Sequence, residues 1–420
     1  MTESARNSLV LHPFRALRPN VAPDRLGRLL CPPYDVIDDL ERERLLSVDP
    51  DNAVGLILPS ETDGSDRYVA AARRLERQVS EGLLSVDSAP ALYVYEMSDP
   101  HSGVTRGLLG AVELRDPDDR VILPHENTMA GPVNDRLALM TATQANLEPI
   151  YLVYDGGGPA SKIVSDVDAE VPVAEATTPD GITHRLWALT DHETHETVDR
   201  DLSARRALIA DGHHRYATYR ELQRRYDDER GSGPWDRGLT LLVDSTTYGP
   251  QVHAIHRVLV GVSLDTVVAA TRSALDVRQQ SSLAQAIDAA EQLSGFAVVL
   301  TDGARAFVVS DPSTSLASSA VREGEPAAVG QLDVTVLHRV LVERVLGMPD
   351  TVDVVGYAHS VEEAIREANR SAGTAVLLRP TPVAAVAAVA AAGGRMPRKS
   401  TLFTPKPASG LVIRRFADEQ

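Results

Sequence analysis

Apolar and polar positions change their spacing several times along this chain of 420 residues. The first forty residues (HPFRALRPN, then CPPYDVIDD) are crowded with proline and turn residues. Each proline removes a donor and restricts its predecessor, so extended chain with few helices is expected there. Apolar positions at helical spacing, with Arg and Glu on the polar face, predict helices over residues 39–46 and 66–84. ALYVYEM (91–97) and residues 105–114 predict the two strands of a hairpin around DPHSG. A helix is expected over 134–144 and a short buried strand over 149–154, closed by Asp155-Gly-Gly-Gly.

The middle continues the mixture. Residues 184–189 predict a strand, and DHETHETVD, with His192 and His195, predicts a solvated acidic loop. ALIA (207–210) is a short apolar run broken by Asp211-Gly212. A charged helix is expected over 213–226, a loop over 227–236, and a second strand pair from 239–244 and 252–260. From about residue 262 alanine-rich helices alternate with short strands (FAVVL, RAFVV, TVDVVGY, TAVLLRP). PVAAVAAVAAAGG predicts a closely packed helix ending at Gly393-Gly394. The expected class is α+β, mixed α/β. Two regions are expected: 1–260, with the polar motifs, and 261–420, an alanine-rich lobe with a basic C-terminal loop.

Composition narrows the class of partner. The chain is 43% hydrophobic and 24% charged, ordinary values for a globular protein. The longest stretch of small apolar residues, 382–392, is too short to span a membrane. MTESARNSLV has no basic region followed by an apolar run, so no secretion signal is expected. The formal net charge of −17 opposes non-specific attraction to nucleic acid or anionic lipid, and neither partner is expected. A single cysteine, Cys31, excludes an intrachain disulfide and a multi-cysteine zinc site, and suits the cytoplasm. As a nucleophile it ranks low, since a lone cysteine beside prolines is usually structural. The chain holds only three lysines, Lys162, Lys399 and Lys406. Where arginine supplies nearly all positive charge, a retained lysine points to a place where the compact ammonium matters; ordinary surface lysine is the alternative.

Three segments carry candidate chemistry. The first is ALIADGHHRYATYREL (207–222), where a strand, an Asp-Gly turn and a helix follow directly. A helix start offers unpaired N–H groups and a positive dipole end, which favour an anion. Gly212 allows close backbone approach. Arg215 carries a planar fork suited to phosphate, and His213 and His214 add donors or a proton-transfer group. Asp211 could cap the helix or hold a metal ion. The alternative is a capped helix start with surface histidines. Arg215→Ala is expected to abolish turnover without unfolding the chain.

The second segment is LPHENTMAGPVNDRLALMTATQANLEPI (123–150). Position 129 is Met, so the H-E-x-x-H zinc motif is absent. Glu126 is a candidate base or magnesium ligand, and His125, Asn127, Arg136 and Asn146 are candidate substrate contacts among unusually dense polar groups that include Asp135 and Glu148. The third is RMPRKST followed by LFTPKPASGLVIRR, where Arg395, Arg398, Lys399 and Lys406 concentrate in an acidic chain. It contains no P-loop, and suits a basic closing loop that contacts phosphate, or a solvated tail. An N-terminal arm with His12, Arg15, Arg18 and CPPYD (31–35) could also line a site, as could His253 and Arg257 on one strand face.

Together, PFRALRP (13–19), CPPYDVI (31–37), HENT with DR (125–136), NLEPI (146–150), ADGHHRYAT (210–218) and MPRKSTLFTPKPASGLV (396–412) resemble domain-of-unknown-function family 1015, in order and over nearly the whole chain. That family supplies no function by itself, although its members look associated with serine metabolism. More distantly, Asp211-Gly-His-His-Arg215 is similar to the D-G-H-x-R segment of free serine kinases with the ParB/sulfiredoxin fold. The resemblance implies a ParB/sulfiredoxin-like nucleotide-binding core with additional lobes. In those enzymes the segment opens a helix and holds nucleotide phosphates, while a glutamate elsewhere acts as base.

The function expected on these grounds is a magnesium-dependent phosphotransferase using ATP or ADP, with free serine or a related hydroxy compound as acceptor. Asp211 would bind Mg2+. Gly212, His213, His214, Arg215, Arg398, Lys399 and Lys406 would hold phosphate, and Glu126 would act on the hydroxyl. A phosphatase or nucleotide hydrolase, and a nucleotide-responsive binding protein without catalysis, are the alternatives.

Overall fold

The computed structural model describes residues 8–61, 66–311 and 318–419. Most of the N-terminal stretch read for a secretion signal, residues 1–7, lies outside them. The fold is mixed α/β. It divides into two compact units: the first holds the described residues up to Pro124, Thr128–Gln251 and Pro405 onward, and the second holds His125–Asn127 and Val252–Thr404.

The first unit is built on a mixed sheet of nine strands among the described residues. The hairpin Leu92–Asp99/Gly103–Glu113 forms where the alternating apolar run predicts it. Arg237–Asp244, buried along almost its whole length, lies between Gly103–Glu113, antiparallel, and Ile150–Tyr154, parallel. Both its edges are taken, so it does not pair with 252–260 as its spacing suggests. Ala207–Asp211 lies antiparallel to Ile150–Tyr154, and the register shifts between Ile209 and Asp211. Such a bulge re-aims the side chains beyond it.

Helices cover this sheet. His213–Arg230 buries Tyr216, Tyr219, Leu222 and Tyr226 in the same core as Ile150, Ile209 and Leu242. It runs four residues into the segment expected as a loop and ends at Gly231 (φ 74°). Arg67–Ser80 starts where Asp66 accepts hydrogen bonds from the N–H groups of Tyr68 and Val69. Two expected irregular segments are helical instead. Pro23–Leu29 carries its proline in the first turn, where the missing donor costs nothing. His192–Leu202 is capped by Asp191, which accepts from Thr194 N, and is anchored by fully buried Val198 and Leu202. Local capping outweighs the polar composition of DHETHETVD.

The second unit holds a six-stranded antiparallel sheet among the described residues. Helices Leu283–Glu291 and Val361–Arg370 set Ala286, Ala290, Ala364 and Ala368 into a common core with Val258, Val299 and Leu377. The alanine-rich texture is therefore close helix-on-sheet packing. No helix among the described residues is long and apolar enough to cross a membrane.

One buried histidine makes acid stability predictable. His184 is 3% exposed, with Nδ1 2.8 Å from Tyr95 Oη, and burial lowers its pKa from 6.5 to about 4. The unfolded chain binds this proton more readily, so the contribution is complete above pH 6.5 and is lost as pH falls toward 4. The full loss is about 3 kcal/mol. Denaturant titrations from pH 7 to 4.5 should show falling stability, with a shallower fall in His184→Gln; equal slopes would contradict the assignment.

Candidate functional site

The Ala207–Asp211 strand delivers Asp211 to the end of the sheet, and Gly212 turns the chain into the 18-residue helix His213–Arg230. Gly212 adopts φ 90°, ψ 30°, a left-handed conformation that glycine reaches freely. A Cβ there would also crowd Arg215 Nε at 3.2 Å and Ile150 Cα at 3.3 Å. The cap residue gives the helix no side-chain acceptor, and Asp211 does not take that role. Its carboxylate faces elsewhere, into a line of alternating charges.

Lys406 forms the middle of that line. Its Nζ lies 2.8 Å from Asp211 Oδ1 and 2.8 Å from Asp35 Oδ2. Arg215 Nη2 donates to the other Asp211 oxygen, and Nη1 donates to the Pro149 carbonyl. Arg215 Nε is buried and finds no partner among the described residues. Burial opposes the charge of Lys406, but Asp211 and Asp35 outweigh it and raise its pKa. Arg215 likewise stays cationic: burial works against the charge, and Asp211, Glu148 and Asp35 overcome it. Burial also disfavours the charge of Asp35, yet Lys406 and Arg215 hold its carboxyl below the usual range. Asp35 is the open end of the line, with 39% of its side chain exposed against 4% for Arg215.

The surroundings are rigid. Glu148 Oε1 accepts from Tyr34 N at 3.0 Å and Ser409 Oγ at 3.2 Å, and Oε2 lies 3.8 Å from Arg136 Nη1. Arg136 stacks over the Tyr34 ring at 4.3 Å. Burial raises the Tyr34 phenol to about 12, so it remains protonated. His214 Nε2 accepts from Met129 N at 3.0 Å, which leaves the ring proton on Nδ1. Burial lowers its pKa further, so the ring is neutral at physiological pH. A narrow cleft lined by Arg136, Glu148, Arg215 and Tyr219 opens beside the line.

The other candidates distribute as follows. His213 is buried in the helix start. Asn146 is buried, and its Oδ1 is already used by Leu239 N and Arg414 Nη1. Arg136 is committed to Asp135 and the Ile57 carbonyl. His125, Glu126, Asn127, Arg398 and Lys399 belong to the second unit. There Met396 N donates to the His125 carbonyl, and His125 Nε2 lies 3.2 Å from Thr401 Oγ1, so the HENT and PRKST segments pack together. The Cys31 thiol is buried, and burial followed by the Glu148 charge pushes its pKa well up, which makes it inert. His253 Nε2 lies 2.7 Å from Thr404 Oγ1. Asp35, Tyr34 and Glu148 are the site residues that sequence patterns ranked too low.

No cluster of three or more metal-ligating side chains occurs among the described residues. A magnesium ion shared with phosphate needs only one or two carboxylates, the remaining positions being phosphate and water. Asp35 and Asp211 meet that requirement, since both direct an oxygen at the point now held by the Lys406 ammonium.

The family described as "protein of unknown function (DUF1015)" matches residues 11–335. No curated protein matches the sequence as a relative. Among solved structures, a free serine kinase in complex with AMP is 16% identical and covers 70% of this chain and 86% of its own, with a TM-score of 0.35. A conserved hypothetical protein from Pyrococcus furiosus is also 16% identical, covering 74% and 96%, at 0.36. SbnI from Staphylococcus aureus, truncated at its C-terminus, is 12% identical, covering 74% and 89%, at 0.38. Likeness at that level assigns neither a substrate nor a residue role.

Proposed function

We propose that this chain, which belongs to the DUF1015 family, is a small-molecule phosphotransferase that moves a phosphoryl group from a nucleoside di- or triphosphate to a small hydroxy compound. The observation that supports this most is the line Asp35–Lys406–Asp211–Arg215 at the uncapped start of His213–Arg230. An ammonium between two carboxylates, beside the start of a long helix, matches the needs of phosphoryl transfer, which are positioning and charge stabilisation.

In this reading the nucleotide phosphates lie on the backbone of Gly212 to His214, and Lys406 turns from the carboxylates to a phosphate oxygen. Arg215 is too deeply held to reach out, so it orients Asp211. Asp35 and Asp211 would hold Mg2+, which would neutralise phosphate charge. The acceptor hydroxyl attacks the terminal phosphorus. Its oxygen–phosphorus bond forms as the bond to the bridging oxygen breaks, its proton passes to a carboxylate, and the shortened nucleotide leaves. Glu126, the base that the sequence suggests, lies in the second unit, and unchanged turnover in Glu126→Gln would rule it out.

The acceptor would enter a groove of about 240 Å³ that shares Arg136 with the cleft beside Arg215. Asp38, Asp39, Arg42, Arg67 and Asp135 line it. Walls of both signs suit a zwitterion, which favours a hydroxy amino acid such as serine over a simple alcohol. The test is mass spectrometry of the protein with Mg2+, ATP or ADP and a panel of hydroxy amino acids and hydroxy acids. A new phosphorylated acceptor supports the reading. Nucleotide loss without one indicates hydrolysis, and binding without turnover indicates a nucleotide-responsive binding protein.

A further inference from the structure

The second unit contains a buried cation that this mechanism does not use. Arg257 is fully buried, and no carboxylate among the described residues accepts a hydrogen bond from it. Its Nη2 donates to the carbonyls of Arg398, at 3.2 Å, and Lys399, at 2.9 Å. Its Nη1 donates to the Ile255 carbonyl, and its plane lies 4.6 Å from the centre of the Tyr357 ring. Its Nε donates to His338 Nε2 at 2.9 Å. Arginine has no acceptor, so the His338 proton is on Nδ1, which donates to Asp350 Oδ1 at 2.9 Å. His338 lies in the π-helical turn Leu337–Val345, a distortion frequent at functional sites.

Burying an arginine without a contacting carboxylate is costly, and here its fork is spent on holding one surface turn. That turn is strained as well: Lys399 adopts φ 55°, which side chains other than Gly, Asn and Asp seldom occupy. The Arg398 and Lys399 side chains are exposed, and Arg395 is half-buried beside them in sequence. Arg395, Arg398 and Lys399 fall within five residues of a chain of net charge −17, and among these arginines it is Arg398 and Arg257 whose charges act on Asp350.

We propose that the Arg395–Thr401 turn is a second anion site, which takes a phosphate-bearing small molecule on Arg398 and Lys399, and that Arg257, His338 and Asp350 position it. The proposal does not need the first unit to be catalytic.

The three lysines provide the readout. Full-length protein is acylated with a limiting amine reagent, with and without inorganic pyrophosphate, and each lysine is quantified by peptide mass spectrometry. Lys162 is 75% exposed and, among the described residues, pairs with Asp166 alone, so it serves as the internal reference. Pyrophosphate should slow acylation of Lys399 about tenfold relative to Lys162, the worth of a charge-assisted contact. His338→Ala should abolish that protection and His338→Gln, whose amide oxygen can accept from Arg257 Nε, should restore it. A variant that merely loosened the fold would not separate Ala from Gln. Arg398→Gln keeps the test intact should His338→Ala fail to fold, and should reduce protection of Lys399. Equal labelling of Lys399 with and without pyrophosphate overturns the proposal. Protection of Lys406 reports on the first unit separately, so failure here and failure of the phosphotransferase reading are distinguishable.

Discussion

Replacing Arg215 with alanine should unfold the protein before it informs on catalysis. Arg215 is 4% exposed, it is the buried partner of Asp211, and it satisfies the Pro149 carbonyl. The substitution leaves a carboxylate and a carbonyl short of a donor, and a void beside the Gly212 turn. Removing one member of a buried ion pair costs about 3–5 kcal/mol, against a total stability of about 5–15 kcal/mol for a domain. The guanidinium denaturation midpoint should therefore drop sharply, with Arg215→Lys intermediate because it keeps the charge and loses the fork. A midpoint unchanged in Arg215→Ala would show that the pair contributes nothing. This differs from the expectation for a phosphate-gripping arginine on a helix surface. Three residues past Asp-Gly, the side chain instead turns inward, where it grips Asp211 and the Pro149 carbonyl.

Lys406→Met should produce the opposite profile, with a modest effect on folding and a large effect on ligands. The ammonium separates two carboxylates, one of them 39% exposed, so part of the lost attraction is compensated by solvent. Without it, Asp35 and Asp211 repel one another across an open point, and a divalent cation relieves that repulsion. Manganese binding without nucleotide, followed by paramagnetic resonance, should therefore tighten by about tenfold. In the same variant phosphoryl transfer should fall by about 10²–10³, the usual consequence of deleting a charge-stabilising donor. Manganese affinity that is unchanged or weaker in Lys406→Met would show that the two carboxylates do not share a cation site.

Much of the fold was legible because it rests on local signals. Strand alternation, Asp66 as a helix cap, and the Asp-Gly break before His213 all act within a few residues. The site was only partly legible because its decisive contacts are remote in sequence. Asp35, Asp211 and Lys406 meet because residues 405–419 return to the first unit. Ser409 exchanges backbone hydrogen bonds with Cys31, and Ile413 exchanges them with Leu17. Gly410 permits that approach, since a Cβ would lie 2.5 Å from Ala53 Cβ. No periodicity announces such a return. The scarcity of lysine did point to Lys406. Reading Arg395 to Lys406 as one basic loop obscured a division: Arg398 and Lys399 belong to the second unit and Lys406 to the first. Asn146 and Arg136 showed polar density in sequence, but that density is consumed by Arg414, Asp135 and backbone carbonyls.

The most direct test of the phosphotransferase assignment is a single reaction run in ¹⁸O-labelled water with Mg2+, ATP or ADP, and L-serine, read by mass spectrometry of every phosphate-containing product. The expected result is a phosphorylated hydroxy amino acid that contains no oxygen from water, and loss of that product in Lys406→Met. Inorganic phosphate carrying ¹⁸O, formed equally well without the amino acid, would contradict it and assign the Asp35–Lys406–Asp211 site to hydrolysis.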